Sequence, residues 1–377
     1  MAIRVKYLLS YTQRNDPNPF VSLFPDLVSA PIPVEVGELD LESETGFKGG
    51  DDFISEGIER RIIVWGGWKN DPNVVHVYDI DTRLWTRVSA AGDVHPGSHY
   101  AASAVLDNRI YLFGGRDHED YETNCLSVLN VTGYFLRIAV VGDSPSPRFK
   151  AVGWTYGNHT YFGFGYSDGQ HWWSVANVSK SRSSSEGDSS AWTRGIGKGR
   201  TNETWKFDPR KKSFSPLTTS GSPPEPRYWC AVARLGSKVY VLSGWSEDDG
   251  NDFFQLDLLN MRWSRISDTG FSSETYGHSL SVISPSQLLR IGGQYSNKYK
   301  IFNVDNSSWT ENQRLPAEVS GQLVDDEQNN YFYHHQAVEV QTDGRVVKII
   351  CLGGSARIKW IMSPSKYILE FDVDVDP

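Results

Sequence analysis

The sequence predicts an all-β fold, a six-bladed β-propeller with four antiparallel strands in each blade. The first observation is a phrase, an apolar strand that runs into glycine, which recurs six times. The second is a fixed spacing of six residues between an acidic and an aromatic position. The third is a composition of 13 Trp, 18 Tyr and 17 Phe against 3 Met. Aromatic residues suit pleated sheets, and strand repeats of about fifty residues are typical of propellers.

The recurring phrase is clearest at Arg109–Arg116, which reads RIYLFGGR. Glycine ends each phrase because a missing Cβ lets backbones crowd near the centre of a ring. The second glycines follow one another at steps of 48, 50, 79, 49 and 61 residues. They are Gly67, Gly115, Gly165, Gly244, Gly293 and Gly354. The phrase therefore predicts six copies of one unit.

Each unit continues with a second strand that carries an acidic residue and a third strand that begins with an aromatic residue. The six-residue spacing is the same at Asp79–Trp85, Asp208–Phe214 and Asp257–Trp263. A constant spacing predicts a hairpin of constant length whose ring packs between neighbouring blades. A Gly- and Pro-rich crossing then leads to a strand of small residues such as His99–Leu106, which suits the innermost position of a blade.

The domain organisation predicted from the repeat is an N-terminal arm, residues 1–57, followed by the propeller, residues 58–377. The arm is either loosely ordered or lends a strand for ring closure, and Ile3–Leu9 is the candidate to pair with Tyr367–Val373. The 79-residue step predicts an insertion at about 168–200 in the third blade. Its Trp172–Trp173 pair either packs on the propeller face or belongs to a binding surface.

Charge and cysteine usage limit the partners and the compartment. A net charge of −9 and a pI near 5.5 argue against nucleic acid, which needs basic surface. No signal peptide or transmembrane span is predicted, so no membrane partner is expected. Cys125, Cys230 and Cys351 lack metal-ligand spacing, which predicts packed, reduced thiols in a cytoplasmic and/or nuclear protein.

Three features of the sequence resemble the kelch-repeat family. They are the glycine pairs, the Tyr78–Asp79 and Asp257 positions, and the tryptophans Trp85 and Trp263 six residues beyond the two aspartates. The resemblance covers roughly residues 58 to 377 and implies a six-bladed propeller. Two blades depart from the pattern, because Phe164 and Ser243 replace the first glycine of the pair.

Within that family, the third-blade insertion and the phrase Lys150–Tyr156 look most like the substrate receptors of cullin-RING ubiquitin ligases. This resemblance implies a peptide C-terminus held in a central pocket, with Lys150 and Tyr166 matching the pocket pattern, and a ligase adaptor as second partner. Where such receptors have carboxylate-reading arginines, Trp245–Asp249 is acidic. No adaptor-binding helical segment is expected after Asp372 or upstream of the propeller.

No catalytic residues, metal site or cofactor are predicted. The adjacent His334 and His335 lie on what reads as a strand, where neighbouring side chains point to opposite faces and do not form a metal pair. The acidic loop Glu247–Asp252 reads as solvated surface. An enzyme on a kelch scaffold, such as a metal-dependent oxidase or lyase, is one alternative, and a structural or cytoskeletal scaffold is another.

The predicted function is protein–protein interaction through a peptide segment of a partner, bound on the loop face around the central opening. Trp, Tyr and Arg on the loops of a rigid scaffold are typical of binding sites. For the aromatic residues the alternative is packing between blades, and for the arginines of the two Pro-Arg dipeptides it is a turn role. The predicted partner-binding residues are Trp68, Arg116, Tyr166, Trp245 and Gln294 after the glycines, and Arg148, Lys150, Arg227, Trp229 and Tyr276 before the innermost strands.

Overall fold

The computed structural model describes residues 34–38, 53–68, 70–169, 199–247, 252–266, 276–294, 296–315, 330–342, 345–353, 355–358, 361–364 and 367–373. In these residues the regular structure is all β, with six antiparallel sheets of four main strands arranged as blades around a central channel. The predicted fold class is therefore confirmed. Over the same ranges, no helix is long and apolar enough to cross a membrane.

The blades are numbered in chain order, and their strands are given from the channel outward. Blade 1 contains Phe53–Ile58, Arg61–Gly66, Val74–Asp79 and Leu84–Ser89. Blade 2 contains Ala102–Leu106, Arg109–Phe113, Leu126–Leu129 and Tyr134–Arg137. Blade 3 contains Val152–Tyr156, His159–Gly163, Thr204–Asp208 and Ser213–Pro216. Blade 4 contains Ala231–Leu235, Lys238–Leu242, Phe253–Asp257 and Arg262–Ile266. Blade 5 contains His278–Ser284, Gln287–Gly292, Lys298–Asn303 and Ser308–Trp309. Blade 6 contains Gln336–Thr342, Arg345–Leu352, Tyr367–Asp372 and Val34–Glu38.

Short strands complete the sheets. Ala91–Gly92 and Ser220–Gly221 run parallel to the outer strands of blades 2 and 4, and Gln313–Arg314 pairs with Lys298–Asn303 in blade 5. The remaining strands form a two-stranded sheet, Tyr166–Ser167 with Gly199–Arg200, and a three-stranded sheet, Asn330–Tyr333, Ser355–Ile358 and Ile361–Pro364. The two-stranded sheet is the stem of the insertion in blade 3. The Trp172–Trp173 pair and the serine-rich tract of the insertion, Ser179–Ser190, lie outside the described residues.

A strand from the N-terminal region closes the ring. Val34–Glu38 pairs antiparallel with Tyr367–Asp372, with Val34 opposite Phe371. The closing strand proposed from the sequence, Ile3–Leu9, lies outside the described residues. Phe53–Ile58 is the innermost strand of blade 1, so the propeller begins before residue 58. The pattern of small apolar residues missed this strand because its Ser-Glu-Gly centre is polar and bonds across to blade 2.

Aromatic side chains of the outer strands fill the seams between blades. Phe135 of blade 2 packs on Trp65 of blade 1, with ring centroids 5.1 Å apart. Phe214 of blade 3 packs on Phe113 of blade 2 at 5.6 Å. Trp309 of blade 5 packs on Phe253 of blade 4 at 5.6 Å. Burial of a Phe-sized side chain is worth about 1.5–3 kcal/mol, so the repeated ring stabilises each seam.

The first glycines of the pairs in blades 1 and 2, Gly66 and Gly114, lie at crowded points of their seams. Gly66 has φ +74°, and a Cβ there would overlap the carbonyl oxygen of Ser98. Phe164 and Ser243 take this position in blades 3 and 4 with φ of 62° and 50°. Their carbonyl oxygens accept bonds from Arg148 and Arg227 at 3.3 and 2.9 Å. The two departures from the glycine pattern therefore occur where an arginine occupies the seam.

Candidate functional site

Residues in the left-handed backbone region precede the innermost strands on one face of the propeller. Four of them are not glycine, and a left-handed non-glycine residue costs about 1–2 kcal/mol. Gly277 holds the same place in blade 5 with φ 75°, so the turn itself does not require a side chain. Residues in this region cluster at functional sites, although the hairpin turns of the blades also contain them, for example Arg83, Lys212 and Met261. The four are Tyr100 (φ 61°), Lys150 (φ 54°), Trp229 (φ 58°) and His334 (φ 60°).

These four side chains meet over the channel, and we call them the axial cluster. The Lys150 ammonium lies 3.2 Å from the ring centroid of Trp229 and 4.2 Å from that of Tyr100. The rings of Trp229 and His334 are 4.4 Å apart, and those of Tyr100 and Trp229 are 6.5 Å apart. Blades 2, 4 and 6 are not neighbours, so residues from them can touch only near the axis. The axial cluster therefore forms a roof over the channel.

An aromatic stack borders this roof on the side of blades 4 and 5. Trp245 stacks with Tyr228 at 5.8 Å and 10° and with Tyr276 at 5.1 Å and 23°. Tyr276 stacks in turn with Trp229 at 5.0 Å and 9°. We call Tyr228, Trp245, Tyr276 and Trp229 the stack, with Trp229 shared with the axial cluster. Trp245 is 41% exposed, so the stack reaches solvent.

In each of several blades, the loop after the glycines pairs with the loop before the innermost strand. Isolated β-bridges join His99 to Arg116, Phe149 to Tyr166 and Tyr228 to Trp245. In blade 5 the backbone N–H of Gln294 donates to the carbonyl oxygen of Tyr276 at 2.9 Å. The loop after the glycines and the loop before the innermost strand therefore converge on one face, and they bring Lys150, Tyr166, Trp229, Trp245, Tyr276 and Gln294 together.

Arg148 and Arg227 do not reach this surface. Their side chains are 2% and 0% exposed. The Arg148 guanidinium donates to the Glu203 carboxylate at 3.0 Å, and Arg227 forms a bidentate ion pair with Asp252. A guanidinium without exposed area cannot touch a partner, which corrects their inclusion among the contact residues and favours the turn role left open above. Each arginine ties the glycine-position turn of its own blade into a seam.

Arg116 lies at the mouth but is committed to internal ion pairs. Its guanidinium carbon is 3.8 Å from the Phe149 ring centroid, and it pairs with Asp168 and, at 3.6 Å, with Glu122. The buried Glu122 also accepts bonds from the Ser167 hydroxyl and the Asp168 amide, both at 2.7 Å. Arg116 and Glu122 therefore anchor the stem of the insertion beside the mouth.

Trp68 and Tyr166 extend the aromatic surface at its margins. Trp68, from blade 1, is 46% exposed and meets the His99 ring edge-on at 5.2 Å. Tyr166 is half-buried and packs on Phe149 at 5.5 Å and on Tyr228 at 5.2 Å. Both residues therefore belong to the same face, Trp68 on the blade 1 side and Tyr166 next to the stack.

The channel below the roof has a volume of about 1060 Å³ and is walled by the six innermost strands. Glu56 accepts a bond from the Ser103 hydroxyl of blade 2 at 2.6 Å, and Glu339 accepts one from the Val282 amide of blade 5 at 2.6 Å. Burial in the channel raises the pKa of each carboxyl group from 4.5 to about 7. These carboxyl groups therefore bind neighbouring blades together and titrate near neutral pH.

The adjacent histidines have separate partners. His335 forms a 2.8 Å hydrogen bond with Ser279, and burial lowers the pKa of His335 to about 3, so its ring is neutral. His334 packs on Trp229 in the axial cluster. Across the described ranges, no group of three His, Cys, Asp or Glu side chains could hold a metal ion.

Sequence reasoning missed Tyr100, Tyr228 and Phe149 and considered His334 only as a metal ligand. A signal was present in the repeat, because the residues just before the small-residue strands form equivalent pairs: His99–Tyr100, Phe149–Lys150, Tyr228–Trp229 and Tyr276–Gly277. Alignment of those pairs shows a ring at the first position in every copy. It does not show that side chains from distant blades touch.

Comparison with known proteins gives a family match. Residues 55–293 and 193–323 match the family model described as KLHDC2/KLHL20/DRC7 Kelch-repeats domain. Kelch domain-containing protein 1 of Mus musculus is 29% identical over 278 residues, which are 68% of this chain and 66% of the relative. Kelch domain-containing protein 2 of Bos taurus is 27% identical over 278 residues, 68% of this chain and 64% of the relative. The matches thus span just under two thirds of the relatives' own length.

Two further similarities are more distant. The rat Rab9 effector protein with kelch motifs is 25% identical over 201 residues, 52% of this chain and 46% of the relative. The solved structure of YjhT superposes with a TM-score of 0.59 at 14% identity, covering 84% of this chain and 97% of that one. At this identity the superposition supports the fold alone.

Proposed function

Since the chain belongs to the KLHDC2/KLHL20/DRC7 kelch-repeat family, we propose that its propeller binds a peptide segment of a partner protein across the axial cluster and the stack. The resemblance to the kelch-repeat family is confirmed by this membership, and kelch propellers serve as protein-interaction modules. The finer proposal concerns where the partner binds and what part of it is bound.

The observation that carries the proposal is the axial cluster. Four non-glycine residues accept left-handed strain at the one repeat position whose side chains reach the axis, although Gly277 fills that position in blade 5 without a side chain. The packing of these four side chains on one another offsets the strain, and the cluster adjoins Trp245, whose ring is 41% exposed and can contact a partner. Trp and Tyr are the residues that most often dominate binding energy at interfaces.

A peptide fits this surface better than a small molecule held in the channel. The axial cluster lies over the channel at the loop face, so a ligand that approaches from this side meets its rings first. None of the described residues favours the alternative of a kelch-scaffold oxidase or lyase, or that of a cytoskeletal scaffold.

The resemblance to cullin-RING substrate receptors extends the proposal to a recognition subunit of a ubiquitin ligase, in which the bound peptide belongs to the substrate. The three cysteines are buried and form no disulfides, which suits a cytoplasmic or nuclear site of action. Recovery of a cullin or elongin subunit with the purified full chain would support the ligase role. Recovery of partners without either subunit would remove that role and leave the interaction module.

The proposal is tested with the Trp245→Ala variant of the full chain. Loss of a central exposed tryptophan typically weakens an interface by about tenfold or more. We expect affinity purification with quantitative mass spectrometry to recover specific partners with the wild type and to lose them with Trp245→Ala. Tyr134→Ala is the matched control, because Tyr134 is an exposed aromatic residue on the outer strand of blade 2. The wild type and both variants should have the same thermal unfolding midpoint. Equal recovery of partners with all three proteins would then refute the proposed binding face.

A further inference from the structure

We infer that the stack and Lys150 select a peptide that carries an aromatic side chain flanked by acidic residues. This inference rests on the proposed function, because it names the chemistry of the peptide bound at the same surface. It follows from two independent features, the orientation of the stacked rings and the positions of the cations beside them.

The rings of the stack pack on one another through their faces. The three stacked contacts, Tyr228 with Trp245, Trp245 with Tyr276 and Tyr276 with Trp229, have interplanar angles of 10°, 23° and 9°. Rings that stack face to face present their edges to a ligand. Aromatic edges carry partial positive charge and attract the negative face of another ring, or an oxygen anion. A ring from the ligand can therefore complete an edge-to-face contact over Trp245.

Two cations lie beside the stack. Lys150 lies 3.2 Å from the Trp229 centroid and 5.6 Å from the Tyr228 centroid, and the guanidinium carbon of Arg200 lies 6.0 Å from the Tyr228 centroid. Lys150 also lies next to the rings of Tyr100 and Phe149. A ligand that lies along the stack therefore passes close to the Lys150 ammonium, which favours carboxylates next to its aromatic residue.

Two of the acidic groups nearby, Glu247 and Asp252, already have partners, and Asp248 and Asp249 lie outside the described residues. Glu247 lies 3.6 Å from Arg200, and Asp252 is paired with the buried Arg227. The chain as a whole carries a net charge of −9, so long-range attraction does not bring an acidic peptide to this face. Short-range pairing with Lys150 has to provide the specificity, as expected where local charge complementarity sets the register of a ligand.

The experiment uses immobilised decapeptide libraries and the purified full chain. The central position is fixed as Tyr, Phe, Leu or Pro, the two positions on each side are fixed as Asp/Glu, Ser or Lys/Arg, and the other positions are mixed. We expect acidic peptides with Tyr or Phe to bind about tenfold more strongly than acidic peptides with Leu and than aromatic peptides with Lys/Arg flanks. Lys150→Met should reduce the preference for acidic flanks, and Lys150→Arg should restore it. Trp245→Ala should reduce the preference for the aromatic centre, and Tyr134→Ala should change neither.

The outcomes separate this inference from the proposed function. Binding that depends on Trp245 but prefers Leu, Pro or basic flanks would overturn the inference and leave the peptide-binding module in place. Binding of no library member by the folded wild-type chain would overturn both. Equal preference for acidic flanks in the wild type and in Lys150→Met would overturn the role of Lys150.

Discussion

Arg227 and Trp229 lie two residues apart in one turn, yet they belong to different regions of the molecule. Arg227 lies in the seam between blades, fully buried against Asp252 and the Ser243 carbonyl. Trp229 lies over the axis against Lys150, Tyr276 and His334. Blade 3 repeats the arrangement, with Arg148 in the seam and Lys150 over the axis. Alternate residues of this turn therefore divide between tying the ring together and facing the axis, where we propose that the partner binds.

The difference follows from how each cation is compensated. A guanidinium buried at the seam must keep its carboxylate and carbonyl partners, because a charge left unpaired in the interior is costly. The Lys150 ammonium is held by ring faces at the edge of solvent, where a cation–π contact is worth about 0.5–1 kcal/mol. Substitutions in the seam should therefore lower stability, whereas substitutions in the axial cluster should weaken binding.

The largest expected effect is on the seam. Arg227→Met leaves Asp252 without its partner and should lower the free energy of unfolding by about 3–5 kcal/mol, measured by urea denaturation. Arg262→Met, at an exposed position of the same blade, should change it little. A double variant, Arg227→Met with Asp252→Leu, should regain part of the loss because no buried charge remains unpaired. A loss below about 1 kcal/mol for Arg227→Met would contradict a structural role for the seam arginine.

The next effect concerns Glu339 in the channel wall, which binds blade 6 to blade 5. Its folded pKa of about 7 lies above its ordinary value of 4.5, so the folded state holds the proton more tightly. The stability that this proton provides is fully present below pH 4.5 and is lost as pH rises through 7. Glu339→Gln cannot ionise, so it should gain about 1–2 kcal/mol relative to wild type between pH 5 and pH 8.

Urea denaturation of both proteins at the two pH values measures that gain, and the histidines cancel because the two proteins share them. Glu247→Gln, at an exposed glutamate, is the control and should follow the wild type. Parallel pH profiles for Glu339→Gln and wild type would mean that Glu339 does not hold its proton in the folded state.

The smallest expected change in stability is at the axis. Lys150→Gly removes the contacts with Trp229 and Tyr100 but also relieves a left-handed residue with φ 54°. These effects oppose each other, so the free energy of unfolding should change by less than about 1 kcal/mol. Peptide binding should weaken in the same variant, as followed by the fluorescence anisotropy of a dye-labelled peptide. A loss of stability comparable to that of Arg227→Met would make Lys150 a structural plug and remove the contrast between the two regions.

The sequence predicted the repeat, its number and the innermost position of the small-residue strands, because each depends on local patterns within about fifty residues. It also identified Lys150, Trp229, Trp245 and Tyr276 as residues of one loop face. It did not separate Arg148 and Arg227 from them, since a Pro-Arg dipeptide looks the same whether its side chain turns into a seam or toward the axis. The carboxylates that decide this, Glu203 and Asp252, are 55 and 25 residues away along the chain.

The sequence by itself determined that this chain forms a six-bladed kelch propeller, because glycine spacing, strand pattern and turn length act within each unit. Only the tertiary structure decided that Val34–Glu38 closes the ring and that Tyr100, Lys150, Trp229 and His334 meet over the axis. The reason is geometric. Strand pattern specifies a blade, whereas contacts between blades 2, 4 and 6 exist only once all six blades have been brought around a common centre.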